Sequence, residues 1–172
     1  MIADSAVRGL QYAEGLVADI PANQFSAMAR LIDGDGRETV VDANHPAFIF
    51  GHLALYPSRI VEELGGDASA VKPDDGEQAL YSRKVQCVDD PAGGRYEAKK
   101  ILVPRLMERY RTAIDALRAA DDDRFRGANP NEAMRGKFPT IGAMHAFYVG
   151  GHFMIHMGQI STWRRVMGLG SI

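Results

Sequence analysis

Two histidines four residues apart, His152 and His156, interrupt a run whose apolar residues repeat at helical spacing. At roughly 100° per residue, side chains four apart differ by about 40° and one turn of rise, so both imidazoles can meet at one ion. A His-x-x-x-His pair alone is weak evidence, because it also arises by chance. A third inward donor changes the weighting, and His52, on the apolar side of an earlier helical segment and beside Gly51, is that donor. Three neutral imidazoles leave one or more coordination positions open to water or substrate, the pattern of a catalytic rather than a closed structural site. Zinc is favoured as the divalent ion, and nickel or iron also suits an imidazole set.

Other residues on the same stripe need weighing. Tyr148 and Gln159 lie about one turn from the pair and are candidates for orienting a ligand or a substrate; core packing and a structural hydrogen bond are the equally weighted alternatives. His145 precedes His152 by seven residues and His45 precedes His52 by seven, so each stands about two turns from its neighbour and outside its ligand shell. His45 reads as a helix-terminus residue and His145 as a hydrogen-bonded core histidine, readings that outweigh a role at the metal or the substrate. Gly150, Gly151 and Gly158 flank the pair, where each costs about 1 kcal/mol of helix stability and either admits a close backbone or leaves space. Arg164 and Arg165 read as partners of a helix C-terminus rather than as an anion site. No His-Glu-x-x-His, Glu-x-x-His or cysteine pair occurs, which disfavours zincin, di-iron and zinc-finger chemistry.

The elements that must position these groups are mostly helical. Ala6, Leu10, Ala13, Val17 and Ile20 mark a first helix with Asp4 or Ser5 as its N-cap and Pro21 as its stop. Residues 22–29 read as a short helical piece, Asp33-Gly34-Asp35-Gly36 as a turn, and Thr39-Val40-Val41 as a brief strand. A second helix is expected from Pro46 to Leu64, ended by Gly65-Gly66 and carrying Ile49, His52, Leu53, Tyr56 and Ile60 on one side. Residues 67–94 read as a long crossover with at most one helical turn near Glu77–Tyr81. Leu102, Leu106, Tyr110, Ile114 and Leu117 define a third helix, with Pro104 in its first turns and its end near Ala120. Pro139 is expected to open the fourth and longest, whose stripe runs through Ile141, Tyr148, His152, Ile155, Gln159, Trp163 and Val166 to a stop at Gly168. Four long helices and no convincing set of strands predict an all-α, helix-on-helix single domain over residues 1–172.

Composition narrows the functional classes. With 172 residues, 46% hydrophobic, 24% charged and a net charge of -2, the chain has the balance of an ordinary globular protein. Basic residues alternate with acids, which argues against nucleic acid as a partner. The first segment is interrupted by Asp4, Arg8, Glu14 and Asp19, so neither a signal-peptide core nor a membrane span is expected there, and the chain reads as cytoplasmic. The lone Cys87 reads as a free loop thiol.

The segments NHPAFIFGHLALY and FPTIGAMHAFYVGGHFMIHMGQISTWRRVMG resemble the DinB/YfiT-like superfamily of metal-dependent helical bundles, and the similarity spans essentially the whole chain. In that family one ligand histidine comes from a Gly-His-Leu-like sequence in the second helix and two from a His-x-x-x-His in the fourth, followed by Gly-Gln-Ile. The resemblance therefore implies His52, His152 and His156 as ligands, with Gly158-Gln159-Ile160 after them. It also implies a four-helix bundle in up-down-down-up order, a homodimer, and antiparallel helices two and four that would carry His45 toward Gln159 and Trp163. Members include low-molecular-weight-thiol S-transferases and a mycothiol-dependent maleylpyruvate isomerase, so the fold does not fix the reaction. Two expectations follow: a metal-dependent transferase or hydrolase acting on a small molecule with a thiol cosubstrate or activated water, or a non-catalytic metal-binding stress-response protein whose useful surface is a dimer interface.

Overall fold

A computed structural model describes residues 2–172 and is mostly helical with one small two-stranded sheet. Helix α1 spans Ile2–Val17 and buries Ala6, Leu10, Ala13, Leu16 and Val17, the face its spacing predicts. Its start lies upstream of the expected N-cap, since Asp4 sits inside the first turn, where its charge complements the helix dipole. Strand β1 (Arg30–Ile32) pairs antiparallel with β2 (Glu38–Val40), with Leu31 opposite Thr39. The predicted turn joins them: the Asp33 carboxylate accepts from the amides of Asp35 and Arg37, and Gly36 takes φ 77°. β2 overlaps the strand expected at Thr39-Val40-Val41, and β1 is an additional strand.

The expected second helix is two helices. α2 (Pro46–Leu53) ends at Ala54, and α3 (Pro57–Glu63) starts one residue beyond Tyr56. Pro57 is the physical reason: it has no N–H to continue the ladder and occupies the first position of a new helix, which it favours. The crossover also holds more order than one turn. α4 (Asp75–Tyr81) is opened by a capping box in which the Asp74 carboxylate accepts from the Glu77 amide and Glu77 reaches back to the Asp74 amide. α5 (Lys99–Ala119) accommodates Pro104 inside it and buries Leu102, Leu106, Tyr110, Ala113, Ile114 and Leu117. A short α6 (Asp122–Arg126) follows in the second connection.

The last long element also starts one step later than Pro139 suggests. The Thr140 hydroxyl caps it by accepting from the Ala143 amide, and α7 runs over Ile141–Ala146. A π-helical segment, Phe147–His152, then leads without a break into α8 (Phe153–Val166). α1 packs on α5, on the π segment and on α8; α3 and α2 pack on α5; α2 also touches α4 and α8. Leu16, Phe50, Leu106, Tyr110, Phe153, Met157 and Ile160 form the shared apolar interior. Ile155, assigned to the buried stripe, is instead 59% exposed, because the wider π turn rotates the helix after it. Arg164 is also not a surface dipole partner: only 1% exposed, it donates to the Leu16 carbonyl and to the Asp19 carboxylate, tying α8 to the end of α1. Among the described residues, no helix is long and apolar enough to cross a membrane.

Candidate metal centre

The centre is assembled by α2, α4 and the junction of the π segment with α8. α2 begins at His45, whose Nδ1 accepts from the Phe48 amide at 3.1 Å while Nε2–H donates to the Val88 carbonyl at 3.1 Å. Both ring nitrogens are thereby used in anchoring the helix start. His45 is fully buried, and burial pushes it down to about 4, so it is neutral. One turn and a half further on, Gly51 lets α4 approach. A Cβ there would lie 2.3 Å from the Tyr81 ring, a distance no side chain tolerates. α4 is held in that position from its other side by Arg109, which donates to both Glu77 oxygens at 2.8 and 2.9 Å and to the Ala54 carbonyl at 3.2 Å.

This docking decides the state of His52. The Tyr81 carbonyl can only accept, so His52 Nδ1 carries the proton and donates to it at 2.8 Å, leaving the Nε2 lone pair free. His156 is set the same way: its Nδ1–H donates to Gln159 Oε1 at 2.9 Å, and Asn44 Nδ2 donates to the same oxygen at 3.4 Å. The Nε2 atoms of His52 and His156 lie 3.3 and 3.2 Å from His152 Nε2, and all three ligand atoms fall within 4.8 Å of one another. In a tetrahedral site with metal–nitrogen bonds of about 2.0–2.1 Å, neighbouring donors are about 3.3–3.4 Å apart. Two edges of the histidine face have that length. The three histidines thus form a grouping able to hold one metal ion, and among the described residues no other set of three or more histidine, cysteine or carboxylate side chains does so.

Electrostatics favours neutral rings. Burial, reinforced by the neighbouring imidazoles, pushes His152 down to about 3; burial pushes His156 down to about 4 against the Gln159 hydrogen bond, and lowers His52. Neutral imidazole is the metal-binding form, so the rings need no deprotonation at neutral pH. His152 Nδ1 is buried with no partner, and its proton is therefore best placed on Nε2, between the other two rings.

The chain matches no protein-family model, no curated protein and no solved structure.

The remaining sequence candidates separate. Gln159 touches the triad through His156. Tyr148 stands one ring away, packed on Tyr56 at 5.2 Å, and burial raises its pKa against the lowering influence of Arg59. The group in that place is Tyr56, whose hydroxyl lies 3.3 Å from His52 Nε2 and whose ring packs on His152 at 4.6 Å. Its i+4 relation to His52 was visible in the sequence, but without the helix break its direction was not. Burial raises its pKa, keeping the hydroxyl protonated and able to donate. His145 is fully buried and donates from Nε2 to Glu63 at 2.8 Å, a structural pair away from the triad. Gly150 and Gly158 have open space where a Cβ would stand, and Gly151 would approach Phe147 at 3.3 Å. Cys87 is a free thiol in a loop, as expected, but a buried one, and burial pushes it up to about 11, so it is not a reactive thiolate.

Proposed function

We propose that this protein is a metal-dependent enzyme of the DinB-like class, a transferase or hydrolase that acts on a small molecule with a thiol cosubstrate or water. The observation that carries the reading is the convergence of three neutral Nε2 donors, at 3.2 and 3.3 Å from one to the next, with no carboxylate or thiolate among them. Zinc suits that donor set best, and nickel or iron fits it too. The four-helix bundle in up-down-down-up order belongs to the same proposal; it is supported by four long segments, α1, the broken α2–α3, α5 and the continuous α7–α8, with α1 against both α5 and α8. A single domain of residues 1–172 and a homodimer complete it, with Met154 at 45% and Ile155 at 59% exposure offering apolar surface on α8.

His52, His152 and His156 would hold a divalent ion, which would supply Lewis acidity that eases deprotonation of a thiol or a water. The chain's own residues do the rest. The Tyr81 carbonyl and Gln159 hold His52 and His156 in the tautomer that aims Nε2 inward. The Tyr56 O–H, kept protonated by burial, stands beside the triad as a donor to an anionic atom of the substrate. Phe48, buried and near-parallel to His52 at 6.2 Å between ring centroids, packs beside that ring.

Elemental analysis of tag-free protein and of a His52→Ala variant tests the reading. About one metal per chain, lost in the variant, is expected; a parent that stays metal-free after reconstitution would transfer the assignment to a non-catalytic binding protein.

A further inference from the structure

Beside Tyr56 lies a cleft of 310 Å³ whose polar lining consists of Tyr56, Arg59, Gln78, Ser82, Arg83 and Lys84. It holds three cationic side chains and no carboxylate. Their state differs from that of the other arginines near α4, because Arg105 and Arg109 are consumed by Glu77 and Glu97. Among the described residues, Arg59, Arg83 and Lys84 form no ion pair with any carboxylate. The Glu63 carboxylate at the end of α3 is taken up by His145.

The placement follows from local structure. The break at Tyr56–Pro57 turns α3 so that Arg59 comes over the Tyr56 ring, 5.9 Å from its centroid. α4 ends at Tyr81, whose carbonyl holds His52, and the next three residues, Ser82, Arg83 and Lys84, pass directly into the cleft. One tyrosine, Tyr56, faces both the imidazoles and the cations. Unpaired like charges gathered on one wall raise the local concentration of an anion and cost stability unless an anion offsets them.

We propose that this cleft is the substrate's anion subsite: it takes a carboxylate or phosphate group of a small molecule and turns the opposite end of that molecule toward the histidine centre. The inference rests on the metal reading only for what happens at that opposite end. Arg59 and Arg83 supply planar donor forks suited to a carboxylate or phosphate, Lys84 adds a point charge, and the Ser82 hydroxyl is a further donor. Substrates of this enzyme are therefore anionic small molecules rather than neutral ones.

The test is a titration of isotope-labelled full-length protein with succinate, followed by amide and arginine side-chain NMR signals, with neutral succinamide as the comparison and zinc content measured on the same samples. Saturable shifts at Arg59, Ser82 and Arg83 are expected with succinate and not with succinamide. Arg59→Gln and Arg83→Gln are each expected to weaken succinate binding about fivefold, the size of one partly exposed charge pair. Arg118→Gln, in an exposed cation outside the cleft, leaves it unchanged. Shifts scattered over basic residues without saturation, or affinity indifferent to both cleft substitutions, overturn the proposal. Protein that binds succinate in the cleft but never takes up zinc keeps the anion site and refutes the metal reading separately.

Discussion

Replacing Gln159 tests the centre through a residue that leaves all three ligands in place. Its Oε1 is the acceptor that keeps the His156 proton on Nδ1, at 2.9 Å, and Asn44 steadies the same oxygen at 3.4 Å. Gln159→Met keeps the length of the side chain and removes the acceptor, so His156 loses its preference for the tautomer with Nε2 free. Partners of this kind are worth about 10–100-fold in metal affinity. Gln159 is solvent-exposed, so water can take over part of the hydrogen bond, and the lower end applies: about tenfold weaker binding, or ~1.4 kcal/mol. Gln159→Glu substitutes a charged acceptor at the same reach and is expected to bind zinc more tightly than the parent. Competition for zinc against a chromophoric chelator at neutral pH, with circular dichroism as a check on folding, measures both. A Met variant within about twofold of the parent, or a Glu variant weaker than the Met variant, would show that Gln159 does not orient a metal ligand.

Two further outcomes are expected. His45 falls from 6.5 to about 4 on folding, so its stabilisation is complete above pH 6.5 and is lost as the pH drops, when the unfolded chain takes up the proton first; the loss levels off near pH 4, after ~3 kcal/mol. His45→Asn retains a capping acceptor for the Phe48 amide, and in chelator-treated protein its urea-unfolding free energy should fall less steeply between neutral pH and pH 4 than the parent's; parallel slopes would refute the assignment. At His152, whose Nδ1 has no partner, nitrogen NMR should show the proton on Nε2 in metal-free protein and on Nδ1 once zinc is bound; an unchanged tautomer on loading would mean that Nε2 is not the ligand atom.

What could be read from the residues alone divides along physical lines. The apolar faces of α1 and α5 followed from spacing, because packing against one neighbour selects every third or fourth residue. The convergence of His52 with His152 and His156 was also legible, since an i, i+4 pair and a third imidazole on an apolar face have few other reasons to be there. Where the reading went astray, a local competitor was involved. Pro57 divided the second helix, although Tyr56 and Ile60 continued its apolar pattern. The π segment altered the phase of the last helix, sending Tyr148 to Tyr56 and Ile155 to solvent; no residue type announces an i→i+5 turn, and Gly150-Gly151 only makes one affordable. The capping box at Asp74 and Glu77 was present in the sequence but overshadowed by the prolines and glycines around it.

The same departures from regular helix explain how the centre can be both buried and reachable. A straight second helix would carry Tyr56 along the apolar stripe of His52 and Ile49 into the core, with no opening beside the triad. The break leaves Tyr56 half-buried, with its hydroxyl toward the imidazoles and its ring beneath Arg59. On the opposite helix the π segment ends at His152, so two rings separated by one ordinary α-turn enter the site from a locally widened backbone. π-turns are stable only where something offsets their poorer packing, and they recur at functional sites. Five histidines share this small protein; His45 is closed by hydrogen bonds at both ring nitrogens and His145 is anchored through Nε2 to Glu63, while the other three bring their Nε2 atoms together. That arrangement turns the His52 and His156 lone pairs onto one His152 Nε2–H in a desolvated site, and once that proton moves to Nδ1 a cation is the partner that all three rings can satisfy at once.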